Sequence, residues 1–345
     1  MVKLIDKDFI LRVLDIRLKS HYPDYKKIVN LKITPYKKHL GKTSVVFVLE
    51  YKIKYLSTAN KKKSLIIFAS AHSDGSRKVA YQRTKVLYKN GFDQGDLRVT
   101  RPLFFLSKQK AFFYQASAGS SLFYFFTQKP QADFEPSIKL SAAWIKKLHD
   151  LSLDKNKLKW NDFQIKNMIP LPDKFIGDFY LSSQKDGRLV ENLFKDMRAL
   201  EKVFNKRLKK KVIYGDYHPE NIIIPSLKSS QLEMIDFTDI AFGDPMLDLA
   251  VFLQQFDFMG HNFLRRQKIN DYKKYFLESY FEKESKQIEA DFFARINLYQ
   301  SWTALRSAVF IFYMRNKENP IDDLLMDARA YLQLAKARKK KINLY

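Results

Sequence analysis

Apolar residues recur at helical spacing over residues 5–19 (Phe9, Ile10, Val13, Leu14, Ile16, Leu18), so the chain is expected to open with a helix. β-Branched and aromatic residues then crowd 28–36 and 44–55, which predicts two strands around the turn His39-Leu40-Gly41-Lys42-Thr43. After the polar turn 57–63 a third strand is expected over 65–71. A helix over 76–89 stops at Asn90-Gly91, and strands over 99–107 and 111–116 lead to Gly119. Farther on, Trp144, Ile145, Leu148, His149 and Leu151 give an apolar face to a helix over 142–151. Pro170, Pro172, Gly177 and the polar run 182–187 read as an insertion able to form one wall of an acceptor site, ahead of a helical stretch over 189–209. Residues 248–336 read as aromatic-rich helices, in which Leu298, Trp302, Leu305 and Val309 recur at the spacing of a packed face.

Composition sets limits on this pattern. A chain of 345 residues with 46% hydrophobic content can bury one large core or two ordinary ones. With no cysteine, disulfides, thiolate metal sites and cysteine nucleophiles are excluded. The excess of 62 Lys and Arg over 37 Asp and Glu gives +25, which attracts polyanions such as nucleotides, anionic lipid head groups or RNA. The lysine runs 61–63, 209–211 and 339–341 are dispersed and no nucleic-acid module is recognisable, so no specific nucleic-acid partner is expected, whereas electrostatic contact with an anionic membrane surface fits. The first residues lack a secretory apolar core, and the longest apolar run, 308–314, is too short to span a bilayer. A cytoplasmic protein without a transmembrane segment is the expectation.

Candidate chemistry concentrates between Tyr214 and Ala250. Asp216 and Asn221 stand five apart, the separation used in kinase-type phosphotransferases between the residue that takes the hydroxyl proton and a magnesium ligand. A loop leaving a strand through Gly215 can aim Asp216 at an alcohol, while the turn through Pro219 returns the Asn221 amide toward phosphates. Magnesium prefers oxygen and keeps much of its water, so Asn221 and Asp236, the latter at the end of the apolar run 232–235, suffice as protein ligands. Asp244, followed by Pro245, stands where a helix cap belongs, and on their own Asp244 and Asp248 read as turn and cap residues.

Tyr-Gly-Asp-Tyr-His-Pro-Glu-Asn (214–221), followed by Ile-Asp-Phe-Thr-Asp-Ile-Ala-Phe-Gly-Asp-Pro-Met-Leu-Asp-Leu-Ala (235–250), closely resembles the aminoglycoside phosphotransferase and choline kinase superfamily. The resemblance implies an α+β, two-lobed protein-kinase-like fold. A small N-terminal antiparallel-sheet lobe with a leading helix, 1–116, would bind nucleotide, and a larger, mostly helical C-terminal lobe, 117–345, would carry catalysis and acceptor binding. It also implies that Asp216 is the catalytic base, that Asn221 and Asp236 bind metal, and that Asp248 braces the catalytic loop. The cofactors implied are ATP or GTP and magnesium, and the partner a small-molecule hydroxyl acceptor: an aminoglycoside, amino alcohol or sugar. Tyr214 replaces the family's usual histidine at a supporting position. His218 is expected to hold the loop by hydrogen bonds, and His149 to be structural.

In the small lobe, the turn at Gly41 would cover the phosphates with Lys42 beside it, and Gln115 and Ala116 fall where backbone groups would read the adenine edge. A Walker A loop is excluded because Tyr36 occupies its first glycine position. The family's lysine on the third strand is missing from Leu65-Ile66-Ile67-Phe68-Ala69-Ser70-Ala71-His72, as is its glutamate partner near Ala80-Tyr81-Gln82. Lys42, His72, Arg77 or Lys78 can supply the charge instead; the alternative is a nucleotide-binding pseudokinase. The basic charge also suits a kinase of a phosphate-bearing glycolipid. The acidic group Glu278, Glu282, Glu284, Glu289 and Asp291, near Tyr280, Phe281 and Trp302, fits a charged outer helix face better than a cage for a cationic acceptor.

Overall fold

The computed structural model describes residues 2–40, 45–206, 208–314 and 320–338. The chain divides into two units: Met1–Gly119 with Ile223–Pro225 and Gln231–Thr238, and Ser120–Ile222 with Ser226–Ser230 and Asp239–Tyr345.

In the first unit, Asp6 caps helix α1 (Lys7–Leu18) by accepting from the Phe9 amide at 3.0 Å. Ile10, Leu14 and Leu18, one turn apart, form its buried stripe. Strands β1 (Tyr25–Leu40), β2 (Val45–Ser57), β3 (Lys62–His72), β4 (Leu97–Val99), β5 (Pro102–Leu106) and β6 (Ala111–Gln115) follow, and an antiparallel sheet runs in the order β1-β2-β3-β6-β5. Along β2 every second side chain from Phe47 to Tyr55 is buried, and Leu49, Tyr51, Ile53, Ile67, Ala69 and Phe113 join the α1 stripe in one core. Burial of each large apolar side chain contributes roughly 1.5–3 kcal/mol, so this alternation fixes which sheet face α1 covers.

The strand expected over 99–107 is two strands. Pro102 has no N–H and begins β5, whose register against β6 skips between Pro102 and Phe104. β4 instead pairs in parallel with Leu232–Met234, with Leu97 opposite Leu232 and Val99 opposite Met234. Helix α2 (Ser76–Leu87) ends earlier than expected, in a wide turn over Tyr88–Phe92 where Asn90 and Gly91 leave helical geometry.

The second unit is mostly helical, with a two-stranded antiparallel ribbon of Lys211–Ile213 and Ala241–Gly243. Its helix Met246–Gly260 is buried without interruption from Met246 to Phe256, as befits a helix enclosed on all sides. Phe252 of that helix stacks on Phe276 of Arg266–Phe281 at 4.0 Å. The helix expected over 142–151 begins earlier, at Glu135, with Pro136 in its first turn. The expected insertion before 189 is not irregular: helices Pro172–Ser182 and Gln184–Asn205 fill it. Ser183 caps the second by accepting from the Asp186 amide at 3.3 Å, so the polar run is a cap and first turn. Gly187 lies inside this helix because a Cβ there would meet Tyr180 Cγ at 2.4 Å.

On the same helix, Glu201 is buried and accepts from the Ile165 amide at 3.0 Å. Burial is the largest influence and pushes its carboxyl up to about 7, against Ile165 N–H and the charges of Lys210 and Arg198. The folded chain therefore holds a proton there that the unfolded chain releases near 4.5, and stability falls as pH rises between those values. Glu201→Gln is expected to stabilise the protein by up to about 3 kcal/mol at pH ~8 and to do little at pH ~4. Thermal melts across that range test this; an equal effect at both ends contradicts it.

Candidate active site

The ribbon strand Lys211–Ile213 delivers the loop 214–221 into a buried polar anchor. Asp248, fully buried on the central helix, accepts the Gly215 amide through Oδ1 and the Tyr214 amide through Oδ2, both at 2.7 Å. The ring nitrogen Nε2 of His149 lies 2.9 Å from the same Oδ2, and the Tyr280 hydroxyl is 2.8 Å from His149 Nδ1. Asp248 thus braces the loop and His149 is structural, as the motif implied. Two aromatic side chains pin the loop from beneath. Tyr217 stacks on Trp144 at 5.9 Å and donates to the Ser141 carbonyl at 2.7 Å, and Tyr214 meets the Trp144 edge at 6.0 Å. Gly215 takes φ 85°, and a Cβ there would lie 2.6 Å from the Asp239 carbonyl oxygen, so this turn requires glycine.

The anchored loop presents Asp216 with 29% of its side chain exposed. Oδ1 forms an ion pair with Arg306 from helix Ala290–Met314, and Oδ2 lies 3.3 Å from His218 Nε2. Burial works to raise the Asp216 carboxyl, but the Arg306 charge and the His218 hydrogen bond outweigh it and hold the group well below the usual carboxylate range. His218 has the loop-holding role expected of it: Nδ1 accepts from the Glu220 amide at 3.3 Å and Nε2 lies 3.0 Å from Asn221 Nδ2. Asn221, only 8% exposed, also donates through Nδ2 to the Asp216 carbonyl at 3.1 Å. Both of these contacts use the amide nitrogen, and neither uses Oδ1. Arg306 escaped the sequence reading because its helix showed only a packing pattern.

Asp244 and Arg295 support the same unit. The Arg295 guanidinium grips both Asp244 oxygens, with Nε to Oδ2 at 2.7 Å, and Asp244 Oδ1 also accepts the Met246 amide at 3.0 Å. Asp244 therefore stands one residue ahead of the N-cap Pro245, where it satisfies the first helical amide and is also half of an ion pair. The acidic group around 278–291 forms surface pairs such as Lys146 with Glu282 and Lys286 with Glu284, while Tyr280 turns to His149, in keeping with an outer helix face.

Within the first unit, Asp236 follows the short strand Leu232–Met234 with φ 57°, a left-handed conformation that aspartate tolerates at a cost and that recurs at functional positions. Its side chain is 40% exposed and pairs with Arg77 at 2.8 Å and with the Thr238 hydroxyl at 2.6 Å. Arg77, one of four candidates to replace the missing strand lysine, is the one brought to this carboxylate. Of the others, His72 pairs with Asp74 at 2.6 Å, Lys78 is exposed, and Lys42 lies outside the described residues. On the sheet face opposite α1, Phe68 and Tyr114 stack at 5.9 Å, with Tyr36 edge-on to Phe68. The Gln115 carbonyl accepts from the Thr100 hydroxyl at 2.9 Å and the Ala116 amide donates to Ile66 at 2.9 Å, so these two backbone groups already have partners within the unit.

No group of three or more His, Asp or Glu side chains able to hold a metal occurs among the described residues. Magnesium bound mainly through nucleotide phosphates does not need one. Each unit holds one oxygen donor of the hard kind that ion prefers: the Asn221 amide in the second and the part-exposed Asp236 carboxylate in the first.

The family model for the phosphotransferase enzyme family matches residues 111–282. No curated protein matches the chain. Among solved structures, Plasmodium vivax ethanolamine kinase is similar at TM-score 0.54 and 12% identity, covering 90% of this chain and 83% of that one. The GDP complex of aminoglycoside 2'-phosphotransferase-IIIa is similar at TM-score 0.53 and 12% identity, over 93% and 97% of the two chains. A streptomycin–ATP ternary complex of APH(2")-IIa is similar at TM-score 0.52 and 13% identity, over 95% and 96%. These likenesses agree with the α+β, protein-kinase-like fold class.

Proposed function

We propose, from the match of residues 111–282 to the phosphotransferase enzyme family, that this chain is an ATP- and magnesium-dependent kinase of a small-molecule hydroxyl. The observation that carries the reading is Asp216, part-exposed on a loop that Asp248 and two buried tyrosines hold in place. Rigid positioning is what this chemistry asks of a protein, because the transition state is loose and little covalent work falls to side chains.

Asp216 orients the acceptor hydroxyl and takes its proton as the oxygen reaches the γ-phosphorus. A carboxylate held as acidic as this one is a weak base, which suits a reaction in which the proton leaves late. Asn221 and Asp236 are the residues that would hold the metal, through side-chain oxygens. Magnesium, when bound, neutralises charge on the phosphates. Arg77, held beside Asp236, supplies the positive charge that the absent strand lysine would have given, and the aromatic face of Tyr36, Phe68 and Tyr114 flanks the nucleobase. The bound ATP and GDP of structurally similar proteins support a purine nucleotide as donor.

A second reading, a nucleotide-binding pseudokinase, is favoured by one observation: Asp216 and Asp236 are each already paired with an arginine. Incubation with γ-labelled ATP and a panel of alcohols, amino alcohols, sugars and aminoglycosides separates the two. The kinase reading predicts magnesium-dependent label in at least one acceptor. Nucleotide binding without acceptor labelling or ATP turnover supports the pseudokinase. No helix among the described residues is long and apolar enough to cross a membrane.

A further inference from the structure

Arg306 does more than acidify Asp216. Its guanidinium engages Oδ1, while Oδ2 faces His218 Nε2 at 3.3 Å, so both oxygens that could receive an acceptor hydroxyl already have partners. Arg306 keeps 27% exposure and lies 5.0 Å over the Trp302 ring. A guanidinium carries five N–H donors in a planar fork, more than one carboxylate oxygen can use. One turn earlier on the same helix, the indole N–H of Trp302, 4% exposed, finds no acceptor among the described residues. Beside Asp216, Arg306 therefore keeps N–H donors beyond the one engaged with Oδ1.

We propose that the acceptor is an anion, a small alcohol bearing a carboxylate or phosphate near the hydroxyl to be phosphorylated, and that Arg306 selects it. This rests on the kinase reading above. The anionic group takes N–H donors from Arg306 and loosens its grip on Asp216 Oδ1, which then accepts the hydrogen bond of the acceptor hydroxyl. As the new O–P bond forms, the bond from the γ-phosphorus to its bridging oxygen breaks, ADP leaves with that electron pair, and the hydroxyl proton passes to Asp216. A neutral alcohol leaves the Asp216–Arg306 pair closed, and an ammonium compound meets like charge.

With ATP and magnesium, turnover is compared on glycerol 3-phosphate and glycerate against glycerol and choline; the first two separate phosphate from carboxylate recognition. The anionic compounds should be turned over about tenfold or more faster than glycerol. Arg306→Gln should erase that preference by raising KM for the anions, and Arg306→Lys should restore part of it. Equal or better turnover of glycerol or choline overturns the inference and leaves the kinase reading standing, whereas ATP turnover unaffected by Asp216→Asn sinks the kinase reading itself. If none of the four is an acceptor, calorimetry with inorganic phosphate decides: saturable binding lost in Arg306→Gln supports the inference, and binding that is absent or unchanged overturns it.

Discussion

Asp216→Asn should lower kcat for phosphoryl transfer by about 10²–10⁴-fold while leaving nucleotide affinity within a few-fold of the parent. Asparagine matches the carboxylate in size and can still accept a hydrogen bond from Arg306 or an acceptor hydroxyl, but it cannot take the proton. The loop should keep its shape, because its anchors are Asp248 and the aromatic pair Tyr214 and Tyr217, and not Asp216. Steady-state transfer assays and titration with a fluorescent ATP analogue check both halves. A kcat within threefold of the parent would remove Asp216 from the chemistry. A collapse of nucleotide binding and melting temperature would mean that the Arg306 pair is structural. Because Asp216 is held below the usual carboxylate range, its protonation should not limit activity as pH falls toward ~4, and any acid limb there belongs to another group.

Asp248→Ala should be the most destabilising single change in the site, by about 3–5 kcal/mol. It strips the acceptor from two buried backbone amides and removes the partner of His149 Nε2, in a region buried away from solvent. Asp248→Asn should cost less, since one oxygen survives, but its NH2 would face an amide N–H, so some loss remains. Urea unfolding of the two variants measures this, and a loss below about 1 kcal/mol for alanine would show that the anchor is not what holds the loop. Activity should fall in parallel, because a loop without its brace no longer presents Asp216 in one orientation.

The loop 214–221 was legible in the sequence because its residues are neighbours in the chain: one turn carries Gly215, Asp216, His218 and Asn221. Asp248 was legible only through the motif's resemblance, since by composition it reads as an ordinary first-turn carboxylate. Arg306 was not legible. It meets Asp216 across a long stretch of chain, and its helix shows only the packed periodicity of Leu298, Trp302, Leu305 and Val309. The division of 99–107 into two strands was hidden for the same reason, because β4 is defined by pairing with Leu232–Met234. The helix over 189–209 was legible, but the helical turns between 172 and 188 were not, because proline, glycine and serine there read as loop signals. In the fold, Pro172 starts a helix, Ser183 caps one and Gly187 makes room for Tyr180.

The account stands most directly on a single-turnover experiment with γ-labelled ATP, run on the parent chain and on the Asp216→Asn and Asp236→Asn variants, with and without magnesium. It predicts label in an acceptor hydroxyl for the parent chain with magnesium alone, and almost none in either variant. Equal ATP turnover by all three proteins, or transfer that persists when magnesium is chelated, would contradict it.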